Sequence, residues 1–432
     1  MDAPASSWRL RNPLDPRNPL AGVYLATMLF ELAEGALRFL VPINLHERGL
    51  GPSAIGFVIF AFSLTSLLSR GVAGALFKPD RARLLIVGAG LASTIAYLCT
   101  PFVSDIVSFT ILMAIDGFGW GMATTCLLAM MMLCTPLSIS PAVAMGWYIG
   151  FQGIAFALAT TIGGLLAQAF GVQLAMLTLA TLPVLAASLV ALRLPPVVRA
   201  MDDPATLPLE EGEDTVVATS GPRASVLGAV RRVGLLPFAV WSAALVAVYL
   251  NVMNGLLQSF FPLLGLAVGL SVAQIGTLSS VRSAVSAVAR FGAGWIFSHI
   301  TPHRAHLPLL AMSAATLALL PSAGTYFLHL PLLALNGVSR GLLRVTTTAT
   351  AMEETPGHQA GVAAAVMSSG LDIGKMLGPL IGGVVATLVG VDTMFRVVPF
   401  VFLAVYLVLY FAARGRRRSA TLGATPDTRS TP

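Results

Sequence analysis

Twelve apolar stretches run through this chain of 432 residues. Each is long enough to cross a bilayer as a helix, which takes about 20 mostly apolar residues. Their approximate bounds are 20–45, 54–77, 84–102, 107–134, 142–168, 173–193, 237–263, 273–298, 307–326, 329–352, 361–388 and 396–413. Hydrocarbon offers no hydrogen-bond partners, so such a segment must satisfy its own backbone, and a helix does so. The expected fold is therefore an all-α membrane protein of twelve transmembrane helices. Composition agrees: 56% of residues are hydrophobic and 10% are charged, against roughly 25% charged in a soluble domain. Soluble enzymes, nucleic-acid binders and disordered proteins do not have this balance.

The polar segments divide the chain. Residues 1–19 carry Arg9, Arg11 and Arg17 and read as a cytoplasmic arm. The first apolar stretch holds Glu31, Glu34 and Arg38, which makes it too long and too charged for a cleavable signal. Residues 194–236 hold six carboxylates and no apolar period, and read as a cytoplasmic linker between bundles at 20–193 and 237–413. Residues 414–432, with Arg414, Arg416, Arg417 and Arg418, read as a cytoplasmic tail. With both termini inside, 17 of the 26 Lys and Arg residues fall in cytoplasmic segments, and only Arg48 and Arg396 fall outside. This bias sets orientation and explains the net charge of +7 without a nucleic-acid partner. The expected location is an inner or plasma membrane. Cys99, Cys126 and Cys134 lie in or beside apolar runs with no metal-ligand spacing, and act as fillers.

The two halves align at an offset of 220 residues. Residues 49–77 against 269–297 give ten identities, among them Gly56/Gly276, Arg70/Arg290 and Gly74/Gly294. The same offset pairs Gly35 with Gly255, Pro42 with Pro262, and Gly117 with Gly337. Chance matching of apolar residues would not hold glycine, proline and arginine in register across five helices. Internal repeats of this kind mark secondary transporters.

Polar residues inside the spans follow the same register. Glu31, Glu34 and Arg38 match Asn251, Asn254 and Gln258; Asp116 matches Asn336; Gln152 matches Asp372. The spacing i, i+3, i+7 puts each triad on one helical face. Two such faces imply a shared central cavity. Ionisable residues within spans avoid the third, sixth, ninth and twelfth segments. Charges in a bilayer face the bundle interior or a water-filled space, so those four helices are expected to face lipid. Glu31, Glu34, Asp116 and Asp372 are the proton-coupling candidates. Arg38, Gln152, Asn251, Asn254, Gln258, Asn336, Arg340, Arg344 and Lys375 are the substrate-cavity candidates. Arg340 and Arg344 either pair with Asp116, Glu31 or Glu34, or grip an anionic group, which a guanidinium binds as a fork. Asp372 and Lys375, one turn apart, either neutralise each other or bind solute and proton. Phe118, Trp120, Trp147, Tyr148, Phe260 and Phe261 either pack or form an apolar cavity wall. Arg70, Arg290, Gly74, Gly294, Gly378 and Pro379 are read as gating or packing residues.

With twelve spans, a six-plus-six repeat, a long middle loop and apolar third helices, the chain resembles the major facilitator superfamily over essentially its whole length. The family's loop after the second helix, Gly-x-Leu-Ala-Asp-Arg-x-Gly-Arg, is matched by the Gly, Leu and basic end of Gly74–Arg83, while Lys78 stands at the acidic position. The eleventh span, Gly370-x3-Gly374-x3-Gly378-Pro379-x2-Gly382-Gly383, resembles the glycine–proline motif of the drug–proton antiporter branch. That branch has an arginine in its fourth helix where this chain has Met113.

The resemblance implies two pseudo-symmetric six-helix bundles that work by alternating access on a small-molecule substrate, as a monomer in the bilayer with no cofactor or metal. Proton-coupled export of a small organic solute is the leading expectation, since the cavity would carry carboxylates. The alternative is uptake or exchange of an organic anion, favoured by Arg340, Arg344 and Lys375. A non-transporting membrane sensor or scaffold is the alternative of another class. No nucleophile–base pair or metal cluster suggests an enzyme.

Overall fold

The computed structural model of the chain describes residues 18, 20–135, 141–193, 238–353 and 360–423. The expected linker at 194–236, nearly all of the amino-terminal arm and the last residues of the tail lie outside the described residues.

The described helices are α1 (Ala21–Glu47), α2 (Pro52–Leu76), α3 (Ala82–Cys99), α4 (Ile106–Cys134), α5 (Pro141–Phe170), α6 (Val172–Leu179), α7 (Thr181–Arg193), α8 (Phe238–Ala267), α9 (Val272–Phe297), α10 (Pro302–Leu319), α11 (Tyr326–Glu353), α12 (Ala360–Val389) and α13 (Val391–Gly423). Each expected span coincides with a helix to within a few residues, with two corrections. The sixth span is broken at Ala180 into α6 and α7. Pro183 lies in the first turn of α7, and its missing N–H leaves the Leu179 carbonyl without an i→i+4 donor. The helix of the twelfth span outlasts its apolar window, Val391–Val408: α13 continues through the arginine cluster to Gly423, since arginine is a good helix former and no proline intervenes there.

Local chemistry sets the ends. Asp105 caps α4 by accepting from the Ser108 backbone N–H at 2.8 Å, and that bond holds its carboxyl below the usual range. Ser271 and Gln274 form a reciprocal capping box at the start of α9. Four glycines have left-handed backbone: Gly49 and Gly269 close α1 and α8, and Gly171 and Gly390 close α5 and α12. Such turns favour glycine because it lacks a Cβ, and they recur in the repeat's own order. So do the 3-10 turns that end α3 and α10, Thr100–Phe102 and Leu320–Ser322.

Nine of the described helical segments are long and apolar enough to cross a membrane by length and composition. The spans outside that set are α1, α9 and α11, which carry Glu31, Glu34 and Arg38, Arg282 and Arg290, and Arg340 and Arg344. They are tolerated because these charges face protein and cavity. The chain is an integral multi-pass membrane protein of two six-helix bundles. In one bundle α1 packs on α5 and α2 on α4; in the other α8 packs on α12 and α9 on α11. Two long seams join the bundles, α2 against α12 and α5 against α9, and α1 meets α8 between them.

One end of each seam is closed by backbone contact. A Cβ on Gly56 would sit 2.2 Å from the Pro379 carbonyl oxygen, and one on Gly276 would sit 2.2 Å from that of Thr160. Only glycine permits such an approach, and these two are repeat partners. Thr160 Oγ1 donates to the Gly276 carbonyl at 3.0 Å, and the Ser53 backbone N–H donates to Thr387 Oγ1 at 3.0 Å. Between the seams, Leu40, Val41, Leu256, Phe260 and Leu264 bury an apolar plug. This is the sealed end, remote from the chain termini.

Candidate functional site: the central cavity

A cavity of about 590 Å³ lies between the bundles, on the side of the seal that faces the chain termini. Its walls come from α1, α2, α4, α5, α8, α9, α11 and α12. No lining residue comes from α3, α6, α7, α10 or α13, which agrees with the apolar character of every third span.

The cavity is electrostatically lopsided. Six cationic side chains line it, Arg38, Arg70, Arg290, Arg340, Arg344 and Lys375, against two carboxylates, Glu31 and Asp372. The cations on the α1–α5 side are partnered. Arg38 Nε lies 3.0 Å from Glu34 Oε1. This is an ion pair by distance, although the N–H does not aim along the line to that oxygen. The Arg38 guanidinium also stacks 4.4 Å above the Phe62 ring, a favourable cation–π contact. Arg70 reaches across the α2–α12 seam to Asp372 at 3.3 Å and stacks 5.6 Å from Trp120. Lys375 joins the same carboxylate at 3.6 Å.

On the opposite side the cations face one another. Arg282, Arg344 and Arg290 stand near enough to Arg340 for their like charges to act on it. Among the described residues, Arg290 donates to the Ser286 carbonyl of its own helix, at 3.2 Å. No carboxylate lies within ion-pair distance of Arg290, Arg340 or Arg344 among the described residues. Of the two readings of Arg340 and Arg344, pairing with Asp116, Glu31 or Glu34 is not found among the described residues. A cluster of desolvated guanidinium groups without a counter-charge is costly, and an anion relieves it.

Several expected cavity residues stand elsewhere. Asn336 does not line the cavity; its Oδ1 accepts from Arg282 Nε at 2.8 Å and its Nδ2 donates to Thr316 Oγ1 at 3.1 Å. Arg282, which sequence reasoning counted but did not single out, is 4% exposed and also donates to Asn254 Oδ1 at 3.1 Å. It is a buried cation held by neutral amides. The sequence signal was its place on α9, two turns from Arg290. Asp116 is buried behind the wall against Tyr97 and Ser93. Glu34 lines a minor crevice beside Tyr97 instead of the main cavity. Of the four acidic candidates, Glu31 alone faces the cavity without a cation in ion-pair distance. It accepts from Gln152 Nε2 at 3.0 Å, and its Oε2 has no hydrogen-bond partner.

Asn251, Asn254, Gln258 and Gln152 all line the cavity. Trp120 and Tyr148 belong to its wall, with Phe62 and Phe156. Phe118 and Trp147 are instead exposed on the outside, and Phe260 and Phe261 are sealed in the apolar plug. Gly378 packs on the Val252 carbonyl, and Pro379 on Gly255 and Gly56. Gly74 and Gly294 are exposed, with open space where a Cβ would stand, so close packing does not account for them.

The profile of the Major Facilitator Superfamily matches residues 23–374. An uncharacterized MFS-type transporter of Methanocaldococcus jannaschii is 20% identical over 381 residues, 87% of this chain and 92% of the relative. A 78-residue stretch, 18% of this chain and 19% of the relative, is 38% identical to the multi-drug resistance efflux pump PmrA of Streptococcus pneumoniae. In fold, the chain is similar to the crystal structure of a bacterial homologue of the human lysosomal transporter Spinster, inward-facing and unoccupied. The TM-score is 0.69 at 16% identity, covering 91% of this chain and 96% of that one.

Proposed function

The chain belongs to the Major Facilitator Superfamily, and from that premise we propose that it is a secondary transporter that carries an organic anion by alternating access. The observation that carries this reading is the cluster of Arg290, Arg340 and Arg344, which lines the cavity with no carboxylate partner among the described residues. Guanidinium groups bind carboxylate or phosphate through paired hydrogen bonds, and cavity walls with an excess of one charge raise the local concentration of the opposite one. The partly aromatic wall of Phe62, Trp120, Tyr148 and Phe156 suits an apolar body on the same solute. The arginine bias of the loops puts the termini and the cavity mouth in the cytoplasm, so the described state is inward-open.

Proton-linked export rests on separate observations: Glu31, cavity-facing and without a cationic partner, and the local likeness to an efflux pump. The two readings combine if Glu31 takes up the proton and the arginines hold the anion. The test is flux in proteoliposomes under an imposed pH gradient, with matched sets of organic acids, their amides and their amines. Anion transport lost in the Arg340→Gln, Arg344→Gln double variant supports the reading. Preferential transport of amines overturns it.

A further inference from the structure

The repeat pairs the two seams residue for residue, and their mouth-side halves differ. Across α2–α12, Arg70 meets Asp372, with Lys375 one turn on. The repeat partners of these three on the α5–α9 seam are Arg290, Gln152 and Ala155. The arginine is kept, the carboxylate is an amide, and the lysine is gone. Both Gln152 and Arg290 line the cavity from opposite sides of their seam. Gln152 is turned onto Glu31 at 3.0 Å, and Arg290 onto its own helix. No ion pair crosses this seam among the described residues. The repeat also replaces a partner of the arginine: Trp120, which stacks on Arg70, becomes Arg340, and one turn on Thr124 becomes Arg344.

We propose that the anionic group of the solute serves as the missing carboxylate of the α5–α9 seam, so that the loaded carrier closes its mouth far more readily than the empty one. The inference rests on the anion reading above and adds what the anion does there. Bound between Arg290, Arg340 and Arg344, it offsets part of the repulsion among three like charges that the shutting mouth would otherwise seal from water with no counter-charge. Like charges held together in a poorly hydrated space repel strongly. A negative group placed beside Gln152 completes on this side the ion pair that the protein supplies itself on the other. A carrier that returns faster when loaded works chiefly as an exchanger, with slower net transport.

The test moves the charge into the protein. The double variant Glu31→Gln, Gln152→Glu swaps an amide and an acid that already share a hydrogen bond, so the composition is unchanged while a carboxylate moves onto α5. Spin labels at Trp147→Cys and Phe291→Cys, on exposed positions of α5 and α9, report the seam in a background without native cysteines. Labels at Leu68→Cys and Ile373→Cys report the α2–α12 seam as the control. Without any added anion, the swapped protein is expected to raise the short-distance population across α5–α9 at least about fivefold, and Arg290→Gln in the same background is expected to reverse it. The single variant Gln152→Asp, which copies the residue at Asp372, provides the same reading if the swap folds poorly. In liposomes, wild-type exchange of a labelled acid is expected to exceed its net efflux about tenfold, and the swap to bring the two rates together. An unchanged α5–α9 distance in both ligand-free variants overturns the proposal. Failure of benzoate, 2-naphthoate, succinate and citrate to shift the wild-type distance, with the variants closing as expected, would instead count against the anion reading.

Discussion

The two bundles are built to one plan and charged to different ones. Their seal-side contacts match: Gly56 against Pro379, Gly276 against Thr160, with left-handed glycines at corresponding turns. Their cavity walls do not. Arg38 and Arg70 have a carboxylate and an aromatic ring each, whereas Arg290, Arg340 and Arg344 have one another. Backbone packing needs symmetry, because both seams must close against the same neighbours. Recognition needs asymmetry, because a solute with one charged end and one apolar end requires two unlike walls.

The largest effect is expected at the acidic group on the partnered side. Glu31→Gln keeps shape and the hydrogen bond to Gln152 but cannot cycle a proton. It should abolish accumulation driven by a pH gradient while leaving exchange of the solute measurable. If both Glu31→Gln and Glu34→Gln keep full proton-driven accumulation, the proton site is elsewhere. Next come the unpartnered arginines. Arg340→Gln and Arg344→Gln should each weaken binding of an anionic solute about 10- to 100-fold, the worth of one hydrogen-bonded charge pair. Equal affinities in both variants and wild type would make the arginines structural and erase the contrast between the walls.

Much of this was legible in the sequence. The spans follow from apolar length, the cavity-lining set from the absence of charge in every third helix, and the Glu34–Arg38 pair from i,i+4 spacing on one helix. What spacing gives is the face of a helix; it does not give the neighbour that face meets. Arg70 and Asp372 are 302 residues apart, and no local pattern joins them; from the sequence, Asp372 and Lys375 either neutralised each other or bound solute and proton, and Arg70 entered neither reading. Asn336 was misplaced for the same reason: the neighbours its side chain meets are Arg282 and Thr316, not the cavity. Phe260 and Phe261 were left between packing and cavity wall, because composition cannot separate a wall from a plug; they pack.

A third prediction probes the symmetric part of the comparison. Gly276→Ala and Gly56→Ala should each cost about 1–3 kcal/mol of the described conformation, since the added Cβ forces backbones apart, and the two losses should be alike. Thermal unfolding in detergent, with labelling of the sealed end, reads both. A large difference between them would mean that the seals are not equivalent. The smallest effect is expected for Asp372→Asn. Its pair with Arg70 is partly solvated, at 34% and 21% exposed, and is worth about 1 kcal/mol or less. The α2–α12 distance distribution should shift by no more than about fivefold, and anion affinity should rise slightly as a competing carboxylate is removed.

The measurement that bears most directly on the central claim is equilibrium binding to the purified protein of 2-naphthoate, 2-naphthamide and 2-naphthylmethylamine, read by quenching of Trp120, which lines the cavity. The three share an aromatic body and differ in charge. The account predicts that the acid binds at least about tenfold more tightly than the amide, that the amine binds weakest, and that Arg340→Gln together with Arg344→Gln removes the difference. Amine binding equal to or tighter than that of the acid would contradict it.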